Sequence, residues 1–410
     1  MPIRYLLVLC ALSLASSAHV VGERSLLPRP TEALLSSIQT REQYRGHGKH
    51  RPNIAVSDEI QGITTLMRLS GGGINREKDM GRVVDAKGES RSNTIKVISF
   101  FGLWYILNVW YNIVNKKVLN ALPLPMSVAV FQLGIGSLWV GLQWALGIRE
   151  GVGALNGKVV RRIAPVAFFH GGGQLATVIS LGAGAVSFTH VVKAMEPFFS
   201  ALVAAVCFGQ IFRLQVYAAL LPVVAGVSLA CYTEINFNWV SFLGAMASNL
   251  LFALRANFSK SLMNRPPTVG PLSSANLYGI VTVMSFFLLS PVVFGVGLPL
   301  WKPTLQKALD NGYTQGQLAT NLLLSGISHY LNNEVMYLAL GNVHPTTLAV
   351  GNTMKRVFII VASLVVFHTP ISRMGALGST IGILGVLVYT LTKQHYDAID
   401  SKIKKSPQQG

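Results

Sequence analysis

The chain has 410 residues, of which 51% are hydrophobic and only 12% charged, with a mean hydropathy of +0.47. Soluble domains carry about 25% charged residues, so the composition excludes an ordinary water-soluble fold and points to a protein that lives in lipid. The formal charge is +18; residues 1–93 hold 13 Lys/Arg and 9 Asp/Glu, leaving 34−13 = 21 basic and 16−9 = 7 acidic residues for 94–410.

Residues 1–18 read as a signal peptide: Arg4 in a short basic segment, an apolar stretch from Tyr5 to Leu14, and Ser16-Ser17-Ala18 as a small-residue cleavage site. That stretch is too short to span about 30 Å of hydrocarbon. Residues 19–93 are polar and lack a sustained apolar period, as a disordered targeting leader would. A signal followed by a polar leader is the arrangement used to enter plastids bounded by extra membranes, so a complex plastid reached through the secretory pathway is the expected address. A membrane of the ER or Golgi is the alternative.

Residues 94–395 contain ten apolar windows, near 97–115, 124–147, 163–182, 187–208, 214–233, 238–259, 276–299, 317–340, 346–368 and 371–392. Turn or charge signals separate them: Pro123 and Pro125, Arg149-Glu150, Gly209 to Arg213, Pro266-Pro267 and Pro370. With ten spans, one face receives Lys96, Arg149, Lys158, Arg161, Arg162, Arg213, Lys260, Arg265, Lys393, Lys402, Lys404 and Lys405. The other receives Lys116, Lys117, Lys302, Lys307 and Arg373. This imbalance puts both termini on the stroma-like or cytosol-like side. The segments Leu181–Thr189 and Leu340–Thr346 are both short Gly-containing connections into a span rich in small residues, so spans four and nine correspond. The predicted fold class is an all-α membrane protein of ten transmembrane helices in a 5+5 inverted repeat. Residues 396–410 form a polar C-terminal tail.

The fourth and ninth spans each carry cations: Lys193 in one, Lys355 and Arg356 in the other. A buried Lys or Arg costs roughly 2.5–3.5 kcal/mol on insertion scales, so these residues point to an anion. Lys193 lies roughly 9–10 Å into its span and Lys355-Arg356 roughly 14–15 Å into theirs, from opposite faces. The two sets therefore approach one midplane cavity. A phosphate monoester carries about −1.5 to −2 charges and three acceptor oxygens, which suits a planar Arg fork with Lys ammonium groups. Closing an empty cationic site would cost several kilocalories, which predicts obligatory exchange over uniport.

A purely structural reading pairs Lys193 with Glu196 at i,i+3 and leaves Glu334 as the acid available elsewhere for Lys355 and Arg356. Pro197 is expected to kink the fourth span beside this cluster. Gln174 and Thr177 share a face of the third span, and Thr189 and His190 open the fourth. His329, Asn332, Asn333 and Glu334 form a polar band in the eighth span that suits a wet cavity. Arg255 lies near one membrane end, where snorkelling is an equal alternative. Gly171-Gly172-Gly173 reads as a helix-packing site; with no preceding strand and no GK[ST], it is not a phosphate loop. Cys10, Cys207 and Cys231 give no disulfide framework or metal spacing. No catalytic triad or nucleotide fingerprint occurs, so neither an enzyme nor a resident cofactor is expected.

The strings Ala185–Phe199 (AVSFTHVVKAMEPFF), Gly351–Val357 (GNTMKRV) and Asn112–Lys117 (NIVNKK) resemble the plastidic phosphate translocators of the drug/metabolite transporter superfamily. The resemblance spans residues 96–395. It implies exchange of inorganic phosphate for a phosphorylated C3 metabolite by alternating access, with no nucleic-acid partner. By the same resemblance Thr177, Lys193, Lys355 and Arg356 hold the phosphate, while Gln174, Arg255 and Asn332 are cavity positions. Lys355-Arg356 stands where related nucleotide-sugar carriers usually have Lys-Thr; such a carrier, or another for organic anions, is the alternative function. Gln174 and Asn332 depart from the His and Tyr usual in the triose-phosphate branch, which bears on the carbon end of the substrate.

Overall fold

The computed structural model describes residues 76–149, 152, 157–263, 274–342 and 345–405. Its elements are α1 (Arg76–Ala121), α2 (Pro125–Ala145), α3 (Gly157–Ala183), α4 (Val186–Val192), a 3₁₀ turn (Lys193–Met195), α5 (Glu196–Phe208), α6 (Leu214–Ala218), α7 (Leu221–Tyr232), α8 (Trp239–Met263), α9 (Ser274–Asp310), α10 (Gln315–Asn342), α11 (Pro345–Phe367) and α12 (Arg373–Lys405). Residues 14–98 form one compact unit and 99–410 belong to another. Within the first, the helix over 76–98 is described, so α1 begins inside the segment assigned above to the leader. The signal peptide and leader residues 19–75 lie outside the described residues. At the other end α12 runs on through 396–405, part of the expected polar tail.

The chain is a multi-pass membrane protein whose described elements are all helical. Among the described residues, seven helical stretches are long and apolar enough to cross a bilayer: α2, α3, α4 to α5 together, α6 to α7 together, Trp239–Ser259 of α8, Val350–Phe367 of α11 and Arg373–Ser401 of α12. The two arms of α9, Ala275–Pro291 and Val293–Asp310, bend by 72°. Pro291 at the bend lacks the N–H that would continue the helical ladder. Helices α1 and α10 are long, at 46 and 28 residues, but more polar. The reason lies in their burial: α1 turns Asn108, Asn112 and Asn115 inward and α10 turns His329, Asn332 and Glu334 inward, away from lipid.

Close contacts give the relative direction of neighbouring helices. Helices α7 and α12 are antiparallel and share a glycine seam, where a Cβ on Gly378 would lie 2.6 Å from Ala230 N and one on Gly385 2.7 Å from Val223 N. Without side chains there, the backbones approach closely enough for packing to hold the pair in lipid. The α3–α8 pair is antiparallel, through Gly173 against Phe252 and Gly184 against Ser241, and α2–α9 is antiparallel through Val140 against Gly279 and Ser127 against Gly297. By contrast α2–α10 is parallel, through Gln132 to Ser325 and Gly136 against Tyr330. The α3–α9 pair is also parallel, through Ala167 to Ser285 and Gly171 against Leu289.

Candidate functional site

The fourth span breaks at its cation. Pro197 has no N–H to donate to the carbonyl of Lys193, four residues earlier. Glu196 N–H takes that carbonyl instead, in the three-residue pattern of the 3₁₀ turn, and α5 restarts with Pro197 in its first turn. The turn sets Lys193 facing inward, 8% exposed. Its Nζ donates to Thr177 Oγ1 of α3 at 3.1 Å and to Ser248 Oγ of α8 at 2.8 Å. It also lies 4.7 Å from the Phe252 ring centroid. The Lys193–Glu196 pair of the purely structural reading is not what forms: Glu196 Oε2 accepts from Arg356 Nη2 of α11 at 2.6 Å. Helix geometry puts residue 196 on the α11 side of the turn, where an Arg fork outcompetes a lysine already held by two hydroxyls.

Lys355, adjacent to Arg356, lies with its Nζ 4.6 Å from the Trp104 ring of α1. Lys193 feels the charges of Glu196, Arg356, Lys355 and Arg255. The turn after α4 and helix α11 therefore bring three cations to one region with, among the described residues, a single carboxylate between them. Glu334, the other acid considered for this cluster, is elsewhere: it pairs with Arg149, and both are buried. Arg149 Nη1 donates further to Ala275 O at 3.1 Å and Tyr330 Oη at 3.3 Å. A residue that reads as loop charge thus ties α2, α9 and α10 together.

Arg255 does not snorkel. Its guanidinium lies 4.9 Å from the Phe252 centroid and Nη1 donates to His170 Nδ1 of α3 at 3.0 Å. Lys193 and Arg255 thus share one aromatic ring, a favourable use of its negative face.

The remaining predicted residues sit in polar contacts of their own. Gln174 Nε2 donates to Tyr111 Oη at 2.8 Å and to Gln132 Oε1 at 2.9 Å. Gln132 Nε2 in turn donates to Asn115 Oδ1 at 2.7 Å and Ser325 Oγ at 2.6 Å. Asn332 accepts from Asn108 Nδ2. Thr177 donates back to Gly173 O at 2.8 Å, which leaves its lone pairs for Lys193. His190 meets Asn112 Oδ1 at 2.8 Å; that amide's Nδ2 donates to Asn108 O, so the imidazole N–H is the donor.

Ser248, Phe252, His170, Tyr111 and Trp104 were not singled out from sequence. His170, Gln174 and Thr177 follow one another at i, i+4 and i+7, a helical-face signal that the sequence does contain. The partners on α1 and α8 carry no such mark. Cys207 and Cys231 are free thiols, and among the described residues no cluster of His, Cys, Asp and Glu could hold a metal ion.

A model described as the Triose-phosphate Transporter family matches residues 95–390. The chain belongs to this family. It is 38% identical over 324 residues to a triose phosphate/phosphate translocator of non-green plastids from Brassica oleracea var. botrytis, covering 78% of this chain and 79% of that one. It is 39% identical over 309 residues to a phosphoenolpyruvate/phosphate translocator from Oryza sativa subsp. japonica, covering 75% and 74%. It is 37% identical over 325 residues to a glucose-6-phosphate/phosphate translocator from Arabidopsis thaliana, covering 78% and 81%. The Triose-phosphate Transporter match covers every residue named at the cation cluster.

Proposed function

We propose that this transporter exchanges inorganic phosphate for a phosphorylated C3 metabolite across a plastid membrane, with Lys193, Lys355, Arg356 and Thr177 holding the phosphate group. The observation that carries the reading is the charge balance: Lys193, Lys355 and Arg356 meet with Glu196 as their one acid among the described residues. A dianionic phosphate supplies the missing negative charge. The excess positive charge favours loaded over empty transit, which makes the carrier an exchanger. The named relatives support both the phosphate and the plastid address, and residues 1–93 fit entry through the secretory pathway.

The architecture we propose is ten alternating spans in a 5+5 inverted repeat, with α1 from Ser99 onward and α10 as the two polar spans. Every helix pairing described above has the relative direction that ten alternating spans require. The contacts also recur in pairs. A shift of 144 residues carries α1 onto α8, and one of 159 carries α3 and α4 onto α10 and α11. Tyr105 donating to Gly351 O then matches Asn249 donating to Val192 O. Asn108 with Asn332 matches Phe252 with Gly173, and Tyr111 with His329 matches Arg255 with His170. A shift of 153 from α2 to α9 adds Gly136 with Tyr330 against Leu289 with Gly171. Such recurrence is what a twofold axis in the membrane plane produces.

The test is a counter-exchange panel in proteoliposomes, with labelled phosphate outside and phosphate, a triose phosphate, phosphoenolpyruvate, glucose 6-phosphate or a nucleotide sugar inside. Uptake is expected only against phosphorylated interiors, fastest with a C3 compound. Strong uptake into empty vesicles, or exchange only against the nucleotide sugar, overturns the proposal.

A further inference from the structure

Where the repeat folds onto itself, two histidines face each other. His170 of α3 and His329 of α10 are repeat equivalents, each 1% exposed, with ring centroids 6.4 Å apart and planes 27° from parallel. His170 Nε2 and both ring nitrogens of His329 are buried without a hydrogen-bond partner. Leaving a buried polar group unmatched is costly, so three such atoms together mark a position built for something polar.

Their protonation follows from the neighbours. Arginine can only donate, so His170 Nδ1, which meets Arg255 Nη1 at 3.0 Å, is the bare nitrogen. His170 Nε2 therefore carries the hydrogen and presents a donor. His329, neutral, offers one donor and one acceptor. A donor, a donor–acceptor ring and the outer N–H groups of Arg255 match the hydroxyl and carbonyl oxygens of a short carbon chain. They match the phosphate head of a monoester poorly, since its three free oxygens only accept once both charges are formed.

The pair is also continuous with the cation cluster. The Phe252 ring has Lys193 Nζ 4.7 Å from its centroid, Arg255 4.9 Å from it, and the His170 ring 6.4 Å away. One aromatic side chain thus separates Lys193 from the imidazoles, and Arg255 bridges the two.

We propose that His170 and His329 form the subsite for the oxygen-bearing carbon end of the phosphorylated metabolite, while the lysines and Arg356 hold its phosphate. This rests on the phosphate-exchange reading above. The pair then sets preference among substrates, because inorganic phosphate has no carbon end to present to it.

The experiment is phosphate-loaded and C3-loaded exchange in proteoliposomes for the full chain and for His329→Leu and His329→Asn, reading half-saturating concentrations for triose phosphate and for phosphate. His329→Leu is expected to lower the preference for triose phosphate over phosphate about tenfold, the worth of about one hydrogen bond. His329→Asn, which keeps a donor and an acceptor, is expected to restore part of it. A preference within twofold of the unmutated protein in His329→Leu overturns the assignment. So does loss of both exchanges in both variants, which would make the pair structural. Failure of the unmutated protein to exchange phosphate overturns the function reading itself, and the subsite with it.

Discussion

Two polar regions share the interior, and they differ in how their groups are satisfied. Around Gln132, the side chains of Tyr111, Asn115, Gln174 and Ser325 all bond to its amide, and none of them is left buried without a partner. Around Phe252 and Arg356 the charges do not balance, and the imidazoles next to them have unmatched nitrogens. The two regions share α1, α3 and α10, so packing alone does not account for the contrast. A neutral, closed network holds helices in place, whereas an unbalanced one is complete only with a ligand.

Substitutions in the unbalanced region are where that contrast should break most sharply. Arg356→Ala removes a cation and also leaves Glu196 facing the cluster without its partner. Phosphate exchange in proteoliposomes is expected to fall about 10³-fold or more, from the loss of a desolvated charge contact. Glu196→Gln should be far milder, since it removes only the acid. If the two variants were equally impaired, the Arg356–Glu196 pair would be a structural clasp and the charge-balance argument would fail.

Glu334→Gln is expected to act on stability, because it leaves buried Arg149 uncompensated. The cost is about 3 kcal/mol in the unfolding free energy measured in detergent. A paired Arg149→Met, Glu334→Leu variant should recover most of it. Gln132→Leu comes next, at about 2 kcal/mol, since it strands the amide of Asn115 and the hydroxyl of Ser325. Exchange by the Gln132→Leu protein that survives should stay close to normal. A selective transport defect would move that network into the site.

Much of this division was legible in the sequence where a residue was improbable for its setting. Lys193, Lys355 and Arg356 stand out because apolar spans penalise them, and the structure brings them together. Pro197 announced a break, and the helix breaks there. What the sequence could not show is rotation about each helix axis. Glu196 is placed equally well by spacing to reach Lys193 or to face another helix, and only the three-residue turn aims it at Arg356. Arg149 reads as a loop charge because its acid, Glu334, is 185 positions away. Ser248 and Trp104 are ordinary residues in membrane helices, and their contact with the cations depends on which faces of α8 and α1 turn inward. Gln174 reads as a cavity residue from its place on α3, yet in this structure its side chain is committed to the neutral network.

Thr177 gives the finest test, because it stands at the boundary of the two regions. Its hydroxyl proton goes to Gly173 O, so toward Lys193 it acts purely as an acceptor, at 3.1 Å. Thr177→Val keeps the branched shape and removes that acceptor. Lys193 still has Ser248 Oγ at 2.8 Å, so it is not stranded. A net hydrogen bond is worth about 1 kcal/mol, and a fivefold change in affinity corresponds to about the same. The half-saturating phosphate concentration should therefore rise about fivefold, with the maximal exchange rate and thermal stability little changed. A stability loss without an affinity change would place Thr177 with the neutral network around Gln132. The opposite result would leave it with the cations, as one of the groups that orient Lys193 toward phosphate.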